Sequence, residues 1–487
     1  MIDRPNSKAV DRKRRLALPE ADLPTRDAVE RTRDFREAYT DWDLDTARAE
    51  AERCIQCPAA PCVKACPLGN DIPYALWLLE HGDVAAAASV FRSSSTMPEI
   101  CGRVCPQSEL CEGVCPYTKQ GRAPVPIGRL EAFVADRAPR SRPPLPERTG
   151  HRAAVVGAGP AGLTVAEVLT LRGHSVTVYD AWPAPGGILR YGIPTFKMSH
   201  GLVDGLVDWL EALGVRFVTD TFVGRDRTVE DLFDDGFETV FLGFGAGIHR
   251  EASVPGADLV GVRQATPFLV RANVEADLQP EALRTDVPVG RRVAVVGGGD
   301  TAMDCVRTAL RLGAEEVTCW YRRTEDEMPG NPRDRTLARQ EGARFRWLAQ
   351  PIGFRPGNDG RLAFMDCVEM RLGEADSSGR RRPVPVDGSE FEAEVDTVVL
   401  ALGYTGDEES VESIAGLDSG GSHLITIDPE TGATSREGLF AGGDAVLGPA
   451  LVVTAVDQGR RAAEAMHQHM MAARSLAARS LAARARV

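Results

Sequence analysis

Eight of the eleven cysteines of this chain lie between residues 54 and 115, and they constrain its fold more than any other feature. The first group has the spacing Cys54-x2-Cys57-x4-Cys62-x3-Cys66, with a proline directly after it. The second group has the spacing Cys101-x3-Cys105-x5-Cys111-x3-Cys115. Thiols so concentrated in sequence indicate a domain that folds around bound metal or around disulfides.

The first group nearly reproduces the run of bacterial ferredoxins, in which three cysteines bind one [4Fe–4S] cluster and a fourth, before a proline, binds another. Thiolates are soft ligands that suit such clusters, and short spacers let three sulfurs cap one face of a cube. Structural zinc is one alternative, but only Cys54 and Cys57 form the C-x2-C pair typical of zinc sites. Disulfides are another, and they would be expected in an exported chain, whereas residues 1–5 carry no apolar export signal. The pattern predicts two [4Fe–4S] clusters.

Composition and charge exclude several classes of function. The chain of 487 residues is 43% hydrophobic, which is enough for about three domains with their own cores. Its net charge of −13 argues against nucleic acid as a partner, because phosphate binding needs a basic face. No run of about 18 or more apolar residues is present, so we expect no membrane span. Clustered thiols without an export signal favour the cytoplasm.

Residues 1–149 are predicted to form a helical domain around the clusters. Residues 43–53 are rich in alanine and charge and lack glycine and proline, which favours a helix that ends at Cys54. Two apolar stretches between the cysteine groups are separated at Gly82 and indicate two more helices. No strand pattern precedes residue 150, and the proline-rich segment 139–146 marks the end of the domain.

A dinucleotide-binding fingerprint begins after this linker. An apolar strand at 153–156 is followed by Gly157-Ala158-Gly159-Pro160-Ala161-Gly162 and a helix, and a second strand ends at Asp180. Gly157, Gly159 and Gly162 allow the tight turn and the close approach of a pyrophosphate to the helix N-terminus. An acid in the place of Asp180 accepts hydrogen bonds from a ribose. Because strands flank the glycines and an acid follows, a nucleotide-binding site is a better interpretation than a chance glycine turn.

A second fingerprint follows the strand 292–296, as Gly297-Gly298-Gly299-Asp300-Thr301-Ala302. Its second strand ends in Arg322-Arg323 instead of an acid. Arginine at this place accommodates the 2′-phosphate of NADP, whereas an acid favours NAD. The alternative is that the arginine pair merely faces solvent. We expect NADPH, with Gly297, Gly299, Asp300 and Thr301 at the turn.

The remaining patterns suggest how the domains are interleaved. Two similar strand–glycine segments, 239–246 and 397–404, flank the second unit and are candidates to lead the chain between domains. A strand at 438–441 runs into a glycine turn and Asp444. We predict an α/β chain in which 150–286 and 403–487 form one Rossmann-like domain and 287–402 form another. The repetitive tail 472–487 is interpreted as frayed helix or disorder.

Together these residues resemble the family of the NADPH-dependent glutamate synthase small subunit. Its relatives include the large subunit of the bifurcating ferredoxin-dependent NADP transhydrogenase and the N-terminal half of dihydropyrimidine dehydrogenase. The resemblance extends from about residue 35 to residue 470 and is carried by 54–67, 100–106, 186–194, 297–308 and 379–383. The tail is the clearest departure from the family pattern.

The resemblance implies FAD in the first nucleotide site and NADPH in the second. It implies further FAD-binding residues, namely Gly187, Arg190, Gly443, Asp444 and Gln458. Asp444 is expected near the ribityl and pyrophosphate groups, and residues 455–459 near the flavin. Arg322 and Arg323 are expected to hold the 2′-phosphate.

The resemblance also implies how the ligands are divided between the clusters. One cluster would be bound by Cys54, Cys57, Cys62 and Cys115. The other would be bound by Cys66, Cys105, Cys111 and Glu131, which leaves Cys101 free. If the number of cysteines alone decided, all eight would bind the two clusters, and Glu131 would then be an ordinary solvated helix carboxylate.

The function implied is electron transfer from NADPH through FAD and the clusters to a partner in glutamate biosynthesis. That partner would be a larger catalytic subunit, the glutamate synthase large subunit, or a second electron-transfer subunit; the alternative function is that of the bifurcating transhydrogenase. A disulfide reductase needs a redox cysteine pair, and Cys305, Cys319 and Cys367 contain no C-x-x-C. A non-enzymatic zinc scaffold would be colourless. We name no acid–base residue, because hydride transfer requires none.

Overall fold

The cysteine-bearing part of the chain is helical. The computed structural model describes residues 2–4, 10–285, 289–375 and 379–484, without the side chains of 473–484. The first helices are α1 (Arg12–Leu16), α2 (Ala28–Arg31), α3 (Leu44–Glu52), α4 (Pro61–Ala65), α5 (Ile72–Glu80), α6 (Val84–Arg92), α7 (Pro98–Val104) and α8 (Ile127–Arg137). Among the described residues before Arg152 there is one isolated bridge, between Thr25 and Tyr39, and no strand.

Helix capping and close packing position the cysteines of this domain. Asp43 caps α3 by accepting a hydrogen bond from the backbone N–H of Thr46 at 2.7 Å, so the helix delivers the chain to Cys54. At Gly102 of α7, a Cβ atom would lie 2.6 Å from the carbonyl oxygen of Gly128. Helices α7 and α8 therefore pack backbone to backbone, which brings Glu131 of α8 towards the cysteines of α7.

Strands and helices alternate from Arg152 onward. The first elements are β1 (Arg152–Val156), α9 (Pro160–Leu171), β2 (Ser175–Tyr179), α10 (Ile188–Tyr191), α11 (His200–Leu213), β3 (Arg216–Val218), α12 (Val229–Asp234), β4 (Thr239–Leu242) and β5 (Ile248–His249). The next are β6 (Val262–Gln264), α13 (Ala265–Asn273), β7 (Arg292–Val296), α14 (Asp300–Arg311), β8 (Glu316–Tyr321), α15 (Pro332–Gln340), β9 (Arg344–Trp347), β10 (Ala349–Pro356), β11 (Leu362–Ala375), β12 (Arg381–Glu394) and β13 (Thr397–Leu400). The last are β14 (Tyr404–Thr405), α16 (Glu408–Glu412), β15 (Leu439–Ala441), α17 (Asp444–Leu447) and α18 (Val452–Arg484).

Two parallel five-stranded sheets result, with the orders β15-β4-β1-β2-β3 and β6-β13-β7-β8-β9. The chain leaves the first sheet after β4 and returns to it through β15, and β5 and β14 pair antiparallel where it crosses. An antiparallel sheet, β10-β11-β12, is inserted before β13.

Two details bear on the expectations from sequence. Strand β6 lies within residues 150–286, the predicted first part of the first nucleotide-binding domain, yet it pairs with β13 in the second sheet. This pairing favours a domain boundary before β6, and the boundaries themselves stay a prediction. The repetitive tail continues α18 as helix to Arg484, and its last three residues lie outside the described residues.

The first glycine turn depends on close backbone contact. A Cβ atom at Gly157 would lie 2.4 Å from the carbonyl oxygen of Gly243, and one at Gly162 would lie 1.9 Å from that of Gly157. Only glycine permits α9 to start so close to the ends of β1 and β4. At Gly159 no atom lies within 4 Å of such a Cβ, so the N-terminus of α9 faces open space.

Buried charges join the three parts of the molecule. Glu341 accepts hydrogen bonds from Arg307 at 2.9 and 3.0 Å and from Arg311 at 2.8 Å, and its side chain is 0% exposed. Arg31 of the N-terminal domain lies 3.5 Å from the same carboxylate. Arg307 and Arg311 lie over the ring of Phe196, which belongs to the first nucleotide unit. We call Glu341 with its three arginines the Glu341 cluster.

Glu341→Gln should destabilise the protein strongly, because three buried guanidinium groups lose the charge of the carboxylate they share, and among the described residues only Arg307 keeps another, that of Asp334. We expect a loss of about 3 kcal/mol or more in the free energy of unfolding, measured by chemical denaturation. The matched control is Glu315→Gln, which removes an exposed partner of Arg291 and should leave the transition unchanged. Equal effects of the two substitutions would contradict the assigned importance of the Glu341 cluster.

Gly162→Ala should disrupt the first glycine turn, since its methyl group would overlap the carbonyl of Gly157. We expect a lower melting temperature and loss of copurified flavin, measured by the visible absorbance per chain. Gly205 is also a helical glycine, in α11, but its Cβ would meet no atom within 4 Å. Gly205→Ala should therefore stabilise the protein by about 1 kcal/mol and keep the flavin. Normal flavin content in Gly162→Ala would refute the close-contact argument.

Candidate functional site

The first predicted set of cluster ligands converges in the structure. Cys54, Cys57, Cys62 and Cys115 line one pocket. The rest of the lining is almost entirely apolar and includes Ile55, Leu76, Val125 and Ile127. Burial raises the pKa of Cys54 and of Cys62 to about 12, so the apolar surroundings by themselves favour neutral thiols. A bound cationic iron centre would supply the charge that stabilises thiolates there, so the donor set fits the implied cluster.

The second predicted set also converges, around Glu131. Burial raises the pKa of Cys66 and of Cys111, and in both cases Glu131 adds to the shift. A hydrogen bond between Cys105 and Cys101, together with burial, raises the pKa of Cys105, on which Glu131 also acts. The Glu131 carboxylate is therefore near enough to influence the pKa of all three thiols that the resemblance pairs with it.

Both candidates for the eighth ligand are at this second site. Burial, then the charge of Cys101, raises the pKa of Glu131 well above its usual range, while Asn70 donates a hydrogen bond to its carboxylate at 3.3 Å. Glu131 is thus buried, unlike an ordinary solvated helix carboxylate. Asn70 was not predicted from sequence, although its place four residues after Cys66 is a signal that could have identified it. The assignment of ligands stays a prediction.

Nothing in the described residues supports the alternative roles of the cysteines, which were zinc ligands, disulfides or a redox pair. All eleven cysteines are described, and all are free thiols. Within the described residues no three His, Cys, Asp or Glu side chains are arranged to hold a single metal ion. Cys305, Cys319 and Cys367 are buried, and burial raises the pKa of each, which makes them poor redox thiols.

The first nucleotide site is formed at the carboxyl ends of β1 and β2. Asp180 accepts hydrogen bonds from the backbone N–H groups of Ala158 at 2.6 Å and Trp182 at 2.9 Å. These bonds hold the carboxylate beside the glycine turn, where a ribose lies in this kind of fold. Burial raises its pKa to about 6, and the two N–H donors oppose that shift. The open space at Gly159 is where a pyrophosphate would fit.

The predicted residues Gly187 and Arg190 lie next to this turn. A Cβ at Gly187 would lie 2.8 Å from the Cα of Gly159, and its φ of +51° favours glycine. Arg190 is buried, pairs with Asp204 and donates through Nε to the carbonyl of Pro185 at 2.9 Å. These contacts show Arg190 shaping the loop, and its contact with a cofactor stays a prediction.

The C-terminal segment completes the first site. The side-chain oxygen of Gln458 accepts a hydrogen bond from the backbone N–H of Gly443 at 2.7 Å. A Cβ at Gly443 would lie 3.1 Å from the Cβ of Ala161, at the start of α9. Asp444 follows, and burial raises its pKa to about 6. Gly443, Asp444 and Gln458 are therefore brought to the same helix N-terminus as Gly157 and Gly159.

The second nucleotide site repeats this construction. A Cβ at Gly297 would lie 2.3 Å from the carbonyl oxygen of Ala401, whereas one at Gly299 would meet open space. The carboxylate of Asp300 accepts a hydrogen bond from the backbone N–H of Asn331 at 2.7 Å. The side chain of Thr301 interacts with the hydroxyl of Tyr404. The turn is thus built to take a second pyrophosphate.

The two predicted 2′-phosphate residues differ in their surroundings. Arg322 is exposed, and among the described residues it has no hydrogen-bond or ion-pair partner. Arg323 is buried and donates through Nε to the carbonyl of Arg381 at 2.9 Å. The pair follows the end of β8, and Arg322 is the exposed member of the two; the 2′-phosphate role of both stays a prediction.

One group near the second site was missed by sequence reasoning. Lys197 lies 3.0 Å from Asp304 and 3.1 Å from Asp334. Burial would lower the pKa of Lys197, but the two carboxylates raise it above its usual range. Burial raises the pKa of Asp304 to about 7 against the effect of Lys197. No local pattern relates the lysine to partners more than a hundred residues away.

Comparisons with known proteins agree with this architecture. The family profile described as dihydropyrimidine dehydrogenase domain II, 4Fe-4S cluster, matches residues 31–142, and that of pyridine nucleotide-disulphide oxidoreductases matches residues 151–459. The crystal structure of Mycobacterium tuberculosis FprA in complex with NADPH has a TM-score of 0.56 and 19% identity, covering 67% of this chain and 86% of FprA. That likeness confirms the predicted α/β fold with Rossmann-like domains.

Two relatives from Escherichia coli are much closer in sequence. The putative oxidoreductase AegA is 41% identical over 92% of this chain and 69% of its own length. The glutamate synthase [NADPH] small chain is 39% identical over 92% of this chain and 97% of its own length. No helix in the described part of the chain is long and apolar enough to cross a membrane. The resemblance inferred from the motifs is confirmed: this chain belongs to the glutamate synthase [NADPH] small chain family of iron–sulfur oxidoreductases.

Proposed function

We propose that this protein oxidises NADPH with FAD and passes the electrons through two [4Fe–4S] clusters to a partner subunit. The observation that carries the proposal is the packing of the second cysteine group on α9. Cys101 and Ile100 share a hydrophobic core with Ala161, at the start of α9. The Oγ1 atoms of Thr96 and Thr164 lie 2.9 Å apart across the same contact. A flavin at the glycine turn would therefore be separated from the cluster domain by little protein.

The residues of the chain would bind, orient and shield the cofactors. FAD supplies the chemistry of accepting a hydride and releasing single electrons. Asp180 and Asp444 offer carboxylates at the N-terminus of α9, and Gln458 fixes the backbone of Gly443 between them. The apolar lining around Cys54 and Cys115 would keep water from the first cluster. NADPH would bind at Gly297, Gly299, Asp300 and Thr301, with its 2′-phosphate at the end of β8.

The partner is proposed to be a larger subunit that uses the electrons, and the glutamate synthase large subunit is our first choice. The name of the Escherichia coli relative as a small chain supports a partner of this kind. A second electron-transfer subunit, as in a bifurcating transhydrogenase, is the alternative. We place the protein in the cytoplasm, where clustered thiols stay reduced.

NADPH should bleach the flavin of the purified holoprotein at far lower concentration than NADH, because only NADPH offers a 2′-phosphate to Arg322. The measurement is an anaerobic titration followed by visible absorbance, with the iron–sulfur bands recorded in the same spectra. Equal responses to the two nucleotides would contradict the 2′-phosphate site. No bleaching and no iron–sulfur absorbance would overturn the proposed function.

Glu131→Ala should lose about half of the iron, because one of the two proposed clusters would lack a ligand. The measurement is iron per chain together with the electron paramagnetic resonance spectrum of the reduced protein. Cys101→Ser should keep its iron if Cys101 is free. Glu109 is exposed on the same cysteine-bearing segment, so Glu109→Ala is the matched control and should also keep its iron. Loss of iron in Cys101→Ser but not in Glu131→Ala would reverse the ligand assignment.

A further inference from the structure

An ion pair between domains connects the second nucleotide unit to the second cysteine group. Arg333, in the first turn of α15, donates to the carboxylate of Glu112 at 2.8 Å and to the side-chain oxygen of Gln107 at 3.2 Å. Glu112 directly follows Cys111, one of the thiols that the resemblance assigns to the second cluster. The Glu112 side chain is only 3% exposed, so its charge lies in the interior beside that site.

The cysteine domain holds the Glu112 carboxylate among the predicted ligands. Its Oε1 atom accepts a hydrogen bond from the backbone N–H of Gly128 at 3.1 Å. Gly128 lies in the first turn of α8, three residues before Glu131. Burial, then the charge of Glu112, raises the pKa of Cys111. The carboxylate therefore acts electrostatically on the site of the second cluster.

Arg333 supplies the opposite charge from another domain. Burial would lower the pKa of Arg333, and Glu112 is the first of the groups that raise it above its usual value. A guanidinium group is always charged in proteins, so the pair keeps its positive member at any working pH. Charges in a largely buried site are weakly screened. The net charge beside the second cluster thus depends on a residue of the second nucleotide unit.

The second glycine turn fixes the position of Arg333. The backbone N–H of Gly330 donates to the carbonyl of Gly298 at 2.9 Å, and that of Asn331 donates to the carboxylate of Asp300 at 2.7 Å. Arg333 follows two residues later, and its own backbone N–H donates to the side chain of Asn331 at 3.0 Å. The arginine therefore enters the interface from a short segment attached to the turn.

We propose that Arg333 is a positioning residue that sets the reduction potential of the second cluster by neutralising Glu112 across the domain interface. Reduction adds one electron, and so one negative charge, to the cluster. A nearby carboxylate without its countercharge would oppose that step and lower the potential, whereas an unpaired guanidinium group would raise it. This inference rests on the proposed function, because it assigns a residue to one of the two clusters.

The test is an anaerobic redox titration of the full-length holoprotein, followed by electron paramagnetic resonance. The signal that Cys111→Ser loses identifies the second cluster. Glu112→Gln leaves the Arg333 charge unpaired and should raise the potential of that cluster by about 59 mV or more, a tenfold change in its ratio of reduced to oxidised form. Arg333→Gln combined with Glu112→Gln removes both charges and should restore the potential of the wild type.

Single substitutions of the arginine separate charge from packing. Arg333→Gln should lower the potential, because Glu112 then lacks its countercharge. Arg333→Lys keeps the charge and should retain the potential of the wild type. The matched control is Arg339→Gln on the same helix, which removes the partner of Glu325 within the second unit and should leave both cluster potentials unchanged.

The outcomes distinguish the inference from the proposed function. A higher potential in Glu112→Gln that the double substitution reverses would establish the assignment. If these two variants have equal potentials, the charge of Arg333 does not reach the cluster, and the inference fails while the proposed function stands. If all Arg333 variants, Arg333→Lys included, lose iron, Arg333 only supports the fold, and the inference also fails. A wild type without iron–sulfur absorbance would overturn the proposed function itself.

Discussion

The Glu341 cluster is the interaction on which the relative placement of the two nucleotide units depends. Hydride transfer requires the two bound nucleotides to meet in a fixed geometry, yet each turn belongs to a different sheet. The cluster joins the second unit to Phe196 of the first and to Arg31 of the N-terminal domain. Separating these parts would leave buried charges without partners, which costs several kcal/mol. The network thus favours one arrangement of the three domains.

Helix α9 has the corresponding role on the path of the electrons. Its N-terminus follows the first glycine turn, and Thr164 contacts Thr96, which lies just before α7 of the cysteine domain. The C-terminal helix reaches the same place, since a Cβ at Gly459 would lie 2.6 Å from the carbonyl of Ala161. Because these backbones approach so closely, α9 and the C-terminal helix cannot move independently at the flavin site. The same packing that excludes water also keeps the proposed electron path short.

Sequence patterns predicted the parts of the structure that depend on neighbours along the chain. The glycine turns at Gly157 and Gly297 follow from short-range geometry, and the helical cysteine domain follows from its lack of strand patterns. Contacts such as Arg31 with Glu341 join residues far apart in sequence and leave no local pattern. Strand β6 was assigned to the first unit because three residues carry too little pattern to indicate their sheet. The proximity of Glu131 to the cysteines was implied only by the family resemblance.

The two nucleotide sites show how one turn can serve two dinucleotides. Gly157 and Gly297 each approach a carbonyl oxygen at the end of a neighbouring strand, while Gly159 and Gly299 each face open space. The two backbone turns are therefore alike where a pyrophosphate would bind. The sites differ in the residue after the second strand, which would distinguish one dinucleotide from the other. In the first site that residue is Asp180, fixed by two backbone N–H groups beside a ribose position. In the second it is Arg322, which is exposed at the end of β8 and carries the opposite charge.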